Sequence, residues 1–207
     1  MEIILCLLLG YLLGCLNPAA LLGKLKNIDL RQVGTRNLGG SNVLLCIGKV
    51  SGLLVMVFDI AKGYFSVKLA RALFPLLSAA GLLAGIGAIL GHIFPFYLQF
   101  RGGKGLAAFA GVVLAFDPWI FLLLLIIGVI AVLVVNYAYA MPMSAGFLFP
   151  VMAWLRSRSL TVLFLTAISS TLVVAKHWGN IARAHSGGEM PIRQYLLEHF
   201  FRKKQKV

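Results

Sequence analysis

Residues 117–136 read DPWIFLLLLIIGVIAVLVVN. From Pro118 to Val135 no side chain carries a charge, over about the 20 residues that a helix needs to cross the hydrocarbon core of a bilayer. Asp117-Pro118 marks the start as a tight turn, because proline is accepted in the first turn of a helix but not within one. The same reading applied along the chain gives seven candidate helices at roughly 3–23, 50–70, 76–98, 105–116, 119–136, 141–155 and 159–176. The fourth and sixth are short for a full crossing. The fold class expected is therefore an all-α integral membrane protein of about seven transmembrane helices.

The composition agrees. Of 207 residues, 60% are hydrophobic and 12% charged, and the mean hydropathy is +0.94. Soluble domains run at about 45–50% apolar and about a quarter charged, and disorder requires low hydrophobicity. The length allows at most about eight crossings, so residues 1–190 read as a single membrane domain, followed by a basic tail at 191–207. No basic segment precedes the first apolar run, which reads as a retained span and not a cleaved signal peptide. Cys6, Cys15 and Cys46 lack the spacing of a metal site or disulfide framework and read as small buried hydrophobes.

The net charge of +13 comes from 19 Lys+Arg against 6 Asp+Glu. Alternating sides span by span puts 14 of the 19 basic residues on one side: five from Lys24 to Lys49, Arg101 and Lys104, and seven from Lys176 onward. The positive-inside rule makes that side cytoplasmic, with the N-terminus outside and the C-terminus inside. Membrane lipid and phosphate-bearing substrates are the partners this charge suits. Nucleic acid is not, since the cations are spread over membrane-side loops and form no single soluble patch. The segment Pro191–Val207, with Tyr195, Leu196, Leu197, Phe200 and Phe201 among basic residues, reads as an amphipathic helix on the anionic leaflet or as a disordered tail.

Three polar stretches fall on the cytoplasmic side. Val33–Val43 contains Gly34, Thr35, Arg36, Asn37, Gly39, Gly40, Ser41 and Asn42. Such a loop either turns backbone N–H groups, hydroxyls and amides toward a phosphate or is a glycine-rich surface turn. The second runs from Gly91-His92 through Pro95 to Phe100-Arg101-Gly102-Gly103-Lys104-Gly105. Two cations around paired glycines before an apolar helix fit an anion site, while His92 reads equally as a packed helix-end residue. The third is His177-Trp178-Gly179-Asn180-Ile181-Ala182-Arg183, then Gly187-Gly188-Glu189. On a continuing helix His177 and Asn180 share a face and read either as a donor and proton-transfer set or as ordinary helix-end residues. Within the second span, Asp59 and Lys62 stand three apart. An unpaired charge there costs about 2.5–3.5 kcal/mol, so they are expected to pair inside the bundle, either ordering it or bordering a polar cavity.

With these residues in view, the chain resembles the PlsY family of bacterial acyl-phosphate:glycerol-3-phosphate acyltransferases. The resemblance rests on Gly34, Asn37, Gly39, Asn42 and Val43, on Asp59, Lys62 and Gly63, on Gly91-His92-x-x-Pro95 leading to Phe100–Gly105, and on His177-x-x-Asn180-Ile181-x-Arg183 with Gly187-x-Glu189. It implies seven transmembrane helices in the cell membrane and an active site on the cytoplasmic side. It also implies acyl transfer from a fatty acyl phosphate to the 1-hydroxyl of glycerol 3-phosphate, giving lysophosphatidic acid and phosphate with no cofactor, metal or acyl-enzyme. On that resemblance Thr35, Arg36, Asn37, Gly39, Ser41, Asn42 and Lys104 bind phosphate groups. Gly102, Gly103 and Gly105 let glycerol phosphate approach the backbone, His177 and Asn180 orient the reactants, and Glu189, Asp59 and Lys62 support the structure. Leu45 stands where the family carries an arginine and Arg36 where it usually carries glycine; the expectation is that Arg36 supplies the missing charge. Two other readings are a non-catalytic relative that binds lipid phosphate and an organic-anion transporter, although no inverted repeat supports the latter.

Overall fold

Ten α-helices and no strand occur among residues 1–197, which the computed structural model describes. They are α1 Glu2–Cys15, α2 Pro18–Leu25, α3 Gly40–Cys46, α4 Lys49–Leu73, α5 Ala80–Ile93, α6 Leu106–Phe116, α7 Pro118–Val135, α8 Ala140–Ser157, α9 Leu160–His185 and α10 Ile192–Leu196. Five stretches are long and apolar enough to cross a membrane: Glu2–Leu25, Lys49–Leu73, Ala80–Leu98, Pro118–Val135 and Leu160–His185. Leu106–Phe116 is shorter. Asp117 acts as the cap expected of it, its carboxylate accepting from the N–H groups of Trp119 and Ile120 at 2.8 and 3.2 Å.

All seven apolar runs are helical, but their limits differ from the expectation where local chemistry intervenes. The first run is divided. Pro18 has no N–H to continue a helix, so α1 stops at Cys15 and Asn17 caps a new helix by accepting from Ala20 N–H at 2.8 Å. This interruption leaves carbonyls without intrahelical donors in apolar surroundings, where each must find another. Tyr97 Oη donates to the Cys15 carbonyl at 2.8 Å, and Lys62 Nζ donates to the Leu16 carbonyl at 2.7 Å. The third run ends as a helix at Ile93 and continues as a 3₁₀ turn over Phe96–Leu98, because Pro95 intervenes. The seventh extends past residue 176 to His185, which places the third polar stretch on helix.

Packing follows residue size. Gly10 and Gly14 of α1 lie against the backbone of Ala84 and Ala88 in α5, and Gly87 and Gly91 of α5 against that of Leu7 and Tyr11 in α1. These are two G-x-x-x-G faces in mutual backbone contact, the small-residue packing that joins helices in lipid. Gly63 of α4 and Gly111 of α6 are paired in the same way, with Ala108 and Ile60. Larger side chains fill the space toward α8 and α9, where Phe109 and Phe149 meet edge to face at 5.4 Å. A separate small core of Ala19, Leu30, Leu38, Val43 and Val55 lies beneath the loop between α2 and α3.

The expected tail begins tied to the bundle. Ile192 N–H donates to the Asn136 carbonyl at 2.9 Å, and Arg193 N–H to Asn136 Oδ1 at 2.9 Å. Phe200, Phe201 and the basic residues from Arg202 onward lie outside the described residues.

Candidate active site

The three polar stretches converge at one end of the bundle. The second stretch links α5 to α6, and the third is the last turns of α9. Lys104, just before α6, donates from Nζ to Asn180 Oδ1 at 2.6 Å. Asn180 in turn donates from Nδ2 to Glu189 Oε1 at 3.2 Å. A cation, an amide and a carboxylate thus form one line. Burial pushes the Lys104 ammonium below its ordinary pKa; Arg183 nearby acts the same way, and Glu189 opposes both.

His177 is buried one turn before Asn180, 7% exposed. Its Nδ1 lies 2.8 Å from the Val173 carbonyl. A carbonyl only accepts, so Nδ1 carries the proton and Nε2 keeps its lone pair as an acceptor. The set therefore offers one cation for an anion, one amide held in orientation at both ends, and one imidazole acceptor.

A second group of cations surrounds a cleft of about 520 Å³ lined by Arg31, Arg36, Arg101, Gly102 and Lys176, with Asp29 and Gln32. Asp29 is already engaged: Arg31 Nε donates to it at 3.0 Å and Gln32 at 3.1 Å, and the Arg31 contacts hold its carboxyl below the ordinary range. Arg36 and Arg101 have no carboxylate partner among the described residues. Lys176 Nζ stands 4.2 Å from the centre of the Phe94 ring. Arg36, Gln99 and Phe100 all have positive φ, between 54° and 58°, a conformation that costs non-glycine residues energy and concentrates at functional sites. On the other face of α9, an apolar groove of about 690 Å³ runs from Gly146 and Phe147 of α8 past Ser170 and Val174 to Trp178, the neighbour of His177.

Some residues expected to touch substrate have other work in the structure. Ser41 and Asn42 are not in a loop but on the first turn of α3, which begins at Gly40. Asn42 is fully buried. Its Nδ2 donates to the carbonyls of Leu30 and Val33 at 2.8 and 3.1 Å, and its Oδ1 accepts from Thr35 N–H at 2.7 Å. The amide is saturated, so Asn42 shapes the loop. Gly34 lies in the left-handed region at φ 58°, and a side chain there would meet Asn42 Oδ1 and Cys46 Sγ. Gly102 and Gly103 donate their N–H groups to the carbonyls of Ile93 and His92, both at 3.0 Å. Those amides join the second stretch to the end of α5, and the missing side chains make room for it. Thr35, Arg36 and Ser41 are exposed, Asn37 and Gly39 half-buried, and Gly105 is the buried N-cap of α6. Leu45 is exposed on α3 at 41%.

Asp59 and Lys62 do pair within the bundle, at 2.7 Å and with side chains 2% exposed. Sequence reasoning left Lys176 out of the site; Arg101, read there with Lys104 as an anion site, lies at the cleft, and His92, read equally as a packed residue, lies beside Asp59. Lys176 was detectable as a cation next to the third motif; the place of His92 beside Asp59 required the fold.

Residues 4–187 match the family described as glycerol-3-phosphate acyltransferase. The glycerol-3-phosphate acyltransferase of Macrococcus caseolyticus is 34% identical over 200 residues, which span 93% of this chain and 98% of that protein. The glycerol-3-phosphate acyltransferase of Coxiella burnetii is 34% identical over 197 residues, 93% of this chain and all of that one, 100%. Among solved structures, the glycerol 3-phosphate form of PlsY (YgiH), an integral membrane glycerol 3-phosphate acyltransferase, superposes with a TM-score of 0.87 at 30% identity, covering 97% of this chain and 100% of PlsY. Its lysophosphatidic acid form gives 0.83 at 28% identity, covering 95% and 100%.

Proposed function

This chain belongs to the glycerol-3-phosphate acyltransferase family, and on that basis we propose that it moves a fatty acyl group from an acyl phosphate to the 1-hydroxyl of glycerol 3-phosphate. The products are lysophosphatidic acid and inorganic phosphate. The hydroxyl oxygen attacks the acyl carbonyl carbon, the bond from that carbon to the phosphate oxygen breaks, and phosphate leaves. The hydroxyl proton passes to His177 Nε2 or to the departing phosphate; the tautomer set by Val173 makes Nε2 the acceptor already in place.

The observation that carries this reading is the Lys104–Asn180–Glu189 line beside His177, assembled from residues 76 positions apart. Two phosphate-bearing substrates call for two groups of cations. Lys104 holds the phosphate of glycerol 3-phosphate, and Arg36, Arg101 and Lys176 around the cleft hold that of the donor. Arg36 there supplies the charge that Leu45 lacks. Negative charge that develops on the carbonyl oxygen is met by donors fixed before the reaction begins. Seven crossings, with the N-terminus outside, set this end of the bundle on the cytoplasmic face of the cell membrane.

The test is a product assay with glycerol 3-phosphate and either palmitoyl phosphate or palmitoyl-CoA as donor. Lysophosphatidic acid from the acyl phosphate is the result expected. Product from the CoA thioester alone would overturn the donor assignment.

A further inference from the structure

Behind the site lies a buried polar chain that the acyl-transfer steps do not use. Lys62 Nζ contacts both the Leu16 carbonyl and Asp59 Oδ1 at 2.7 Å. Asp59 Oδ1 lies 3.4 Å from Nδ1 of His92. All three residues are at most 5% exposed. The far edge of the His92 ring, Nε2 and Cε1, occupies the space that a side chain at Gly103 would need, and the Leu38 carbonyl also lies against that space. The His92 carbonyl also accepts from Gly103 N–H at 3.0 Å. Gly103 therefore lies against a buried ring of α5 that faces Asp59 of α4, and against the loop of the first polar stretch. The next residue is Lys104.

We propose that His92, held by the Asp59–Lys62 pair, is a positioning residue that fixes the second polar stretch and so sets where the Lys104 ammonium meets the substrate phosphate. A pair that only held helices together would need neither a third member nor contact with the residue before Lys104. The chain of contacts runs from the divided first span through α4 and α5 to Gly103. Loosening it leaves Lys104 charged and present but wrongly placed for a dianion, where misplacement by about 1 Å costs about 10²-fold.

This inference rests on the acyl-transfer reading, so the experiment separates the two. Initial rates are measured against glycerol 3-phosphate and against acyl phosphate, per mole of folded protein, for the native chain, His92→Ala, His92→Gln, and Asp59→Leu combined with Lys62→Met. The double substitution removes both charges together and leaves no unpaired ion. His92→Ala and the double variant are expected to raise KM for glycerol 3-phosphate at least ten-fold. KM for acyl phosphate stays within two-fold and kcat within three-fold. His92→Gln, which keeps a side chain reaching toward Gly103, restores KM to within three-fold of native. A KM within two-fold of native in folded His92→Ala protein overturns the proposal, as does a loss of kcat alone. Should the native chain form no product, the acyl-transfer reading fails by itself. The positioning role is then read from the rise in melting temperature that inorganic phosphate gives the native chain, which His92→Ala is expected to lose and whose persistence refutes it.

Discussion

Helices α5 and α7 are both apolar, and their surroundings are opposite. Within an 18-residue span of Ala80–Leu98 72% of residues are buried, and in Pro118–Val135 only 17%. α7 is the more hydrophobic by sequence, with leucine, isoleucine and valine almost throughout, yet only Ile120, Leu124 and Gly128 are buried. α5 carries Gly81, Gly85, Gly87 and Gly91, and nearly every one of its residues is covered. In a bilayer lipid is as good a solvent for leucine as another helix is, so hydrophobicity marks contact with lipid. Small residues mark where backbones approach each other. The site stands at the end of the helix with small residues.

If that contrast holds, substitutions should follow burial rather than hydropathy. Gly91→Leu sets a side chain into the α1 backbone at Tyr11; no folded protein is expected on size-exclusion chromatography in detergent. Asp59→Ala leaves Lys62 buried without its partner, and thermal or denaturant unfolding should show a loss of about 3–5 kcal/mol. Lys104→Met, at the far end of the connection from α5, should lower acyl transfer about 10²-fold with melting unchanged, because its partner Asn180 is also held by Glu189.

A smaller effect separates charge from position at the same residue. A lysine is charged at low pH and loses that charge as pH rises through its pKa, which burial has moved below the ordinary lysine value for Lys104. Acyl transfer should therefore decline at alkaline pH before a free lysine would titrate. In Lys104→Arg, which stays charged above pH ~12, the decline should shift upward; an identical profile would detach it from Lys104. The smallest effect belongs to α7. Leu123→Ala, at 46% exposure on the lipid side, should change stability by no more than about 0.5 kcal/mol; a loss comparable to that of Asp59→Ala would erase the contrast between the helices.

The helices themselves were legible because long apolar runs have few alternatives, and the Asp117-Pro118 boundary because capping is local chemistry. Asn17-Pro18 carried the same kind of signal, but the apolar run around it masked the division of the first span. Gly10-x-x-x-Gly14 and Gly87-x-x-x-Gly91 were also present as spacings, though that they face each other is a property of the fold. In the site, the residue types expected to bear chemistry are brought together for Lys104, His177, Asn180 and Glu189. At Asn42 the structure gives the amide other work, because composition cannot tell whether a donor faces a ligand or its own backbone. Asn42 makes three hydrogen bonds to the loop that precedes its helix, and those partners are set by chain path, not by residue type.

The ion pair within α4 also bears on how the protein enters the membrane. Asp59 and Lys62 are three residues apart on a single helix, so each neutralises the other before any neighbour is in place. α4 can leave the insertion machinery with the charges at its centre already paired and its other cations, Lys49, Lys68 and Arg71, toward its ends, while α5 and His92 are still being synthesised. When α5 arrives the pair acquires its third member. The Leu16 carbonyl on the earlier span meanwhile offers the ammonium an acceptor. The order of synthesis thus matches the order in which these polar groups need partners, and at no stage does a lone charge have to wait in lipid.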